Sequence, residues 1–96
     1  MEYLNVFAHM GMPKGAKKTI AESDLKRIKL IADRLKKIRK QKGYTSYENL
    51  AFDKNLSRML VYRIESGKKD FTFTNFLKLL DALEISLEDF FKDLNI

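Results

Sequence analysis

Leu25, Ile28, Ile31, Leu35 and Ile38 recur at spacings of three or four in a stretch otherwise rich in lysine and arginine. A helix with one apolar face has that period, so the spacing predicts a long helix over about residues 24–42. Ser23 is its expected N-cap, with Asp24 in the first turn, and Gly43 is the expected stop. Four shorter helical stretches follow. "SYENLAFDK" turns Leu50 and Ala51 inward and is broken by Asn55. "SRMLVYRIES" starts at Ser57, a good N-cap, and ends at Gly67. "TFTNFLKLLDAL" is capped by Thr72 and is expected to bury Phe73, Phe76, Leu77, Leu80 and Leu83. "SLEDFFKDL" has Ser86 with Asp89 three residues on, close to a capping box, and Leu87, Phe90, Phe91 and Leu94 as its apolar positions. No alternating strand pattern competes over residues 23–96. The expectation is an all-α, compact bundle of about five helices.

Ahead of the first helix the pattern fails. "MGMPKGAKKT" holds the only proline and two of the four glycines, a linker-like composition. Before it, Tyr3, Leu4, Val6 and Phe7 form a short apolar run that could pair as a strand or dock on a partner. The chain thus divides into a flexible N-terminal segment, residues 1–22, and a helical domain, residues 23–96.

A length of 96 residues with 45% hydrophobic and 33% charged residues is that of one globular domain. No apolar run reaches the ~18 residues of a membrane span. The first residues lack the basic start, long apolar stretch and cleavage site of a secretory signal. With no cysteine and a single histidine, His9, neither a disulfide scaffold nor a protein metal site is expected. No nucleophile–base pair, glycine-rich phosphate loop or spaced carboxylate pair stands out, so catalysis and a cofactor are not expected. The net charge is +6, unevenly spread. Residues 14–42 hold twelve Lys and Arg against three acids, and residues 81–96 hold one base, Lys92, against five acids. A basic front half either solvates a helix surface or meets a phosphate backbone.

Within residues 50–64 one set of offsets bears on that choice. Two helices meeting through a short turn need a small residue at their closest approach, and Ala51 supplies it. The turn needs a residue that tolerates positive φ, where asparagine is second to glycine, and Asn55 stands there. The second helix needs a branched apolar residue facing back, which is Val61. Spacings of four and then six are those of a helix-turn-helix.

From these residues the chain resembles the phage-repressor/Cro-type, or XRE, helix-turn-helix family over residues 31–91. The likeness is carried by "LKKIRKQKG" (35–43), "LA" (50–51), "LSRMLVYRIESGKKD" (56–70) and "FLKLLDALEISLEDFF" (76–91). It implies a lambda-repressor-like fold whose recognition helix, about residues 58–66, enters the major groove of double-stranded DNA. Three departures are visible. "YTSYENL" makes the connection before Ala51 one residue longer than usual, so either Ser46 or Tyr47 takes the phosphate-contacting position that opens the second helix. Asn55 replaces the usual turn glycine, and Phe71 stands where proline is common.

Sorted by face, Val61 and Ile64 point to the core while Arg58, Met59, Tyr62 and Arg63 lie opposite. Arginine suits guanine O6 and N7, and Met59 and Tyr62 suit a thymine methyl or a sugar. The resemblance assigns base-facing roles to these four, and Arg63, late in the helix, suits a phosphate equally well. The competing reading is that Met59 and Tyr62 only cover neighbouring helices. Lys68 and Lys69, after Gly67, are natural phosphate neutralisers. The resemblance further pairs Arg39 with Glu65 as a structural ion pair between first and recognition helices.

The function these readings imply is a DNA-binding transcriptional regulator in the bacterial cytoplasm, at the nucleoid. It would bind an inverted-repeat operator as a homodimer through the C-terminal helix, where Phe90, Phe91, Leu94 and Ile96 offer apolar area. Exchange of the segment around Tyr3 and Phe7 is the other dimer route. Alternatives are an antitoxin or a restriction-modification controller with the same fold, or a protein-interaction module without DNA binding.

Overall fold

The computed structural model describes residues 19–96. Five helices follow in order: α1 (Glu22–Gln41), α2 (Tyr47–Asp53), α3 (Arg58–Ser66), α4 (Phe73–Ala82) and α5 (Leu87–Phe91). Among the described residues there is no strand, and no helix is long and apolar enough to cross a membrane. Of the N-terminal segment, residues 1–18, with Tyr3, Leu4, Val6, Phe7 and His9, lie outside the described residues.

Local chemistry sets the helix ends. Ser46, Ser57, Thr72 and Ser86 each accept the backbone N–H of the residue three positions on, at 3.1, 3.2, 3.1 and 3.0 Å. Each thereby satisfies one of the donors that a helix start leaves free. α1 departs from expectation: it opens at Glu22, with Ala21 at the cap and no side-chain cap bond, so Ser23 lies inside the helix. Glu22 and Asp24 place two carboxylates in its first turn, where the helix dipole favours them without a hydroxyl cap. Three helices end alike, in a left-handed residue: Gly43 (φ 98°), Asn55 (φ 56°) and Glu84 (φ 57°). The N–H that follows each reaches back to a carbonyl five residues earlier, Tyr44 to Arg39 at 3.1 Å, Leu56 to Ala51 at 2.8 Å and Ile85 to Leu80 at 3.1 Å.

α3 ends at Gly67, left-handed at φ 69° and pressed against α1. A Cβ there would lie 3.2 Å from Ala32 Cβ and 3.4 Å from Lys29 Cα. Gly67→Ala is therefore expected to cost about 1–2 kcal/mol from the left-handed backbone alone, with crowding of α1 added. Thermal unfolding should register the change as a fall of roughly 4–8 °C per kcal/mol. An unchanged transition would mean that the α1–α3 contact yields freely.

The core gathers Leu35 and Ile38 of α1, Val61 and Ile64 of α3, and Phe76 and Leu79 of α4, all buried. Leu25, Ile28 and Ile31, toward the start of the α1 stripe, are only half-buried, and Ala32 is buried beneath Gly67 instead. Two expectations are corrected. Phe73, expected inside, is 58% exposed, because as the first residue of α4 it stands at the rim, its ring tilted by 40° against Phe76 with centroids 6.1 Å apart. Phe90, expected on a dimer surface, is fully buried in its own domain, edge-on to Phe76 with ring centroids 5.2 Å apart. On a five-residue helix only one of two adjacent phenylalanines can face inward, and it is Phe90, while Phe91 stays half-buried beside it.

Candidate nucleic-acid interface

α2 and α3 meet through a turn whose central residue is Asn55, left-handed, with Ala51 and Val61 buried where the helices approach. The small Ala51 side chain lets the second helix lie close, and the asparagine accepts the positive φ at low cost. What sets the orientation of α3 is a chain of polar contacts behind it. Arg39 Nε donates to Glu65 Oε2 at 2.8 Å, and both side chains are buried. Arg39 Nη1 donates to the Tyr44 carbonyl at 2.9 Å, while the Tyr44 N–H returns to the Arg39 carbonyl. The Tyr44 hydroxyl in turn donates to the Asp53 carboxylate at the end of α2. That hydrogen bond is the chief reason the Tyr44 phenol is held above its ordinary pKa; desolvation and the negative charges of Asp53 and Glu84 act in the same direction. One arginine and one tyrosine thus link α1, α2 and α3.

With this frame in place, α3 divides at 100° per residue. Val61, Ile64 and Glu65 face inward, and Arg58, Tyr62, Met59 and Arg63 fan across an outward arc of about 140°. Met59 is 69% exposed and Tyr62 48%. Among the described residues, nothing hydrogen-bonds or pairs with the Arg58 guanidinium. Arg63 is committed: its Nε donates to the Asp70 carbonyl at 2.7 Å and its Nη2 to Asp70 Oδ1 at 3.1 Å. Lys68 and Lys69 are exposed just beyond Gly67.

The two candidates at the start of α2 have separate roles. Ser46 is the N-cap, its hydroxyl accepting the Asn49 N–H and donating to Asn49 Oδ1 at 2.6 Å. Tyr47 is the first helical residue, and its ring lies against Tyr62, centroids 5.4 Å apart and planes tilted by 50°. The Tyr47–Tyr62 contact, the Arg63–Asp70 pair and the Tyr44–Asp53 bond were all outside the sequence reading. The first could have been sought from two aromatic residues on adjoining helices. The others depend on the course of the turns. Phe52, on α2 beside the turn, is 91% exposed. Among the described residues no group of three His, Cys, Asp or Glu side chains is placed to hold a metal ion.

Comparison with known proteins agrees with this geometry. The helix-turn-helix family model matches residues 35–90, more than half of the chain. The control protein C.MunI of a Mycoplasma species is 36% identical over 62 residues, covering 65% of this chain and 84% of that protein. Crystal structures of the restriction-modification controller protein C.Esp1396I, wild type and a point mutant, superpose with a TM-score of 0.60 at 31% identity. They cover 70% of this chain and 87% and 84% of their own chains respectively.

Proposed function

Since the chain belongs to the XRE-type helix-turn-helix family, we propose that it is a restriction-modification controller that regulates transcription by binding duplex DNA. It acts by binding rather than by catalysis, in the cytoplasm at the nucleoid. The observation that carries the reading is the outward arc of α3, held from behind by the buried Arg39–Glu65 pair. Arg58, Met59 and Tyr62 face the base edges from that arc, with Arg63 at its rim near the phosphates. Lys68 and Lys69 neutralise phosphates beside α3. At the start of α2 the Ser46 hydroxyl is occupied by its cap bonds, so Tyr47 is the better phosphate donor. Likeness to the restriction-modification controller protein C.Esp1396I and to the control protein C.MunI supports this role over an antitoxin or an interaction module without DNA binding.

The test separates base from backbone contacts. Duplexes recovered from genomic fragments are titrated across salt with the wild type, Arg58→Ala and Lys68→Ala. Arg58→Ala is expected to relax sequence preference by about 1–3 kcal/mol at one base pair. Lys68→Ala should weaken all duplexes alike and flatten the salt slope by about one unit. Failure to bind any duplex at low salt would sink the reading, and equal loss of preference in both variants would sink the assignment of faces.

The operator is an inverted repeat read by a homodimer. With Phe90 inside the domain, the dimer surface at the C-terminal end comprises Leu87 and Ile96, both exposed, with Phe91 and Leu94 at its margin. Sedimentation of Leu87→Glu should show monomer where the wild type is dimer. A dimer that survives the charge places the interface elsewhere.

A further inference from the structure

Resting on the DNA-binding reading above, we propose that α3 selects its half-site chiefly by thymine C5-methyl groups, read by Met59 and by Tyr62 braced on Tyr47. Arg58 supplies the hydrogen-bonded base contact. The composition of the outward arc leads there. At 100° per residue Arg58 and Arg63 stand at its two edges, and Tyr62, Ser66 and Met59 lie between them, with the Ser66 hydroxyl turned back to donate to the Arg63 carbonyl at 2.9 Å. A helix set into the major groove meets base edges with the middle of its outward arc, so the central positions here present an aromatic ring and a thioether.

The arginine at the far edge is not free to compensate. Two donors of Arg63 are bound to Asp70, at 2.7 Å to its carbonyl and 3.1 Å to its carboxylate. Using them on guanine would first break a charge-assisted pair that also shapes the turn after α3. Guanidinium readout from this helix therefore falls to Arg58, and the Tyr62 hydroxyl at the tip of its ring is the other polar group the arc offers.

The chemistry of the groove then decides what Met59 and Tyr62 select. The groups that project into the groove are hydrogen-bond donors or acceptors, apart from flat ring C–H edges and one protruding apolar group, the C5-methyl of thymine. An apolar side chain laid on guanine, cytosine or adenine strips water from a polar atom and offers nothing in return. Laid on a thymine methyl, it removes apolar surface from water on both partners. Tyr62 is suited to this by restraint as well as by composition. Its ring rests on Tyr47 at 5.4 Å, so the surface it presents is set before DNA arrives. Met59, unbranched and 69% exposed, can adjust its thioether to the methyl it meets.

Deoxyuridine keeps every hydrogen-bonding group of thymidine and lacks only the methyl. In a duplex recovered from genomic fragments, each thymidine of one half-site is replaced in turn by deoxyuridine. Affinities are measured for the full chain and for Met59→Ala, Tyr62→Ala and Arg58→Ala. At one or two positions the wild type should bind roughly three- to five-fold more weakly, the size expected of one buried methyl-sized group. Met59→Ala or Tyr62→Ala should erase that difference at its own position, and Arg58→Ala should leave it in place. A bound duplex that tolerates every replacement overturns methyl reading and leaves DNA binding standing. So does a half-site without thymidine, or a loss that persists unchanged in both apolar variants. A protein that binds no duplex overturns the DNA-binding reading itself.

Discussion

Glu65→Ala is expected to remove about 3–5 kcal/mol of folding stability, the loss that follows when one member of a buried ion pair is deleted and its partner is stranded. The stranded group is Arg39, which would keep its bond to the Tyr44 carbonyl but lose the carboxylate at 2.8 Å in a buried setting. A domain of this size has about 5–15 kcal/mol in all, so the variant should unfold at a markedly lower urea concentration. At a slope of about 1–3 kcal/mol per molar, the midpoint should fall by more than 1 M. Arg39→Met with Glu65→Leu should recover most of the loss, because an apolar pair of similar volume avoids the cost of dehydrating two charges. The double variant should nevertheless bind DNA less well than its stability suggests. Arg39 also anchors Tyr44, whose hydroxyl holds the end of α2, and a leucine–methionine contact has no such direction. A loss below about 1 kcal/mol in Glu65→Ala would show that water or rearrangement satisfies Arg39, and the pair would then not be what orients α3.

How much of this was legible in the sequence varies with the range of the interaction. The caps at Ser57, Thr72 and Ser86 and the turn at Asn55 follow from the backbone needs of two or three neighbouring residues. They stand where the residue types place them. The faces of α3 were legible for a similar reason: with 3.6 residues per turn, placing Val61 and Ile64 inward fixes where Arg58, Met59, Tyr62 and Arg63 point. The start of α1 differs because a hydroxyl at Ser23 suggests a cap, whereas carboxylates at Glu22 and Asp24 stabilise a terminus two residues earlier without one. What pattern alone could not supply was depth. Phe73 and Phe76 are three apart and share a face, yet one lies over the core and the other beyond its rim. The Arg63–Asp70 pair was hidden for another reason. It forms only because residues 67–70 fold back on α3, and nothing in the spacing of seven requires that.

Phe90 is where depth changes the expected experiment. An aromatic side chain on a dimer surface can be truncated with little effect on the monomer, and its loss appears in the dissociation constant. Phe90 is fully buried and makes edge-on contacts with Phe76 at 5.2 Å and Phe91 at 4.9 Å. Phe90→Ala should therefore cost about 3–5 kcal/mol through lost burial and the cavity left behind. Part of that is the aromatic pairing itself, about 0.5–1.5 kcal/mol beyond area. At roughly 4–8 °C per kcal/mol the thermal transition should fall by more than 10 °C, leaving the domain partly unfolded at ordinary growth temperatures. The decisive measurement compares wild type and Phe90→Ala over a hundred-fold range of protein concentration. A core residue lowers the transition by the same amount throughout, whereas an interface residue matters most where the dimer is populated. Leu87→Glu, at the exposed rim, should show the second behaviour and Phe90→Ala the first. If the two variants behave alike, and both lose their effect at high dilution, Phe90 belongs to an interface after all and the packing of α5 against α4 is wrong.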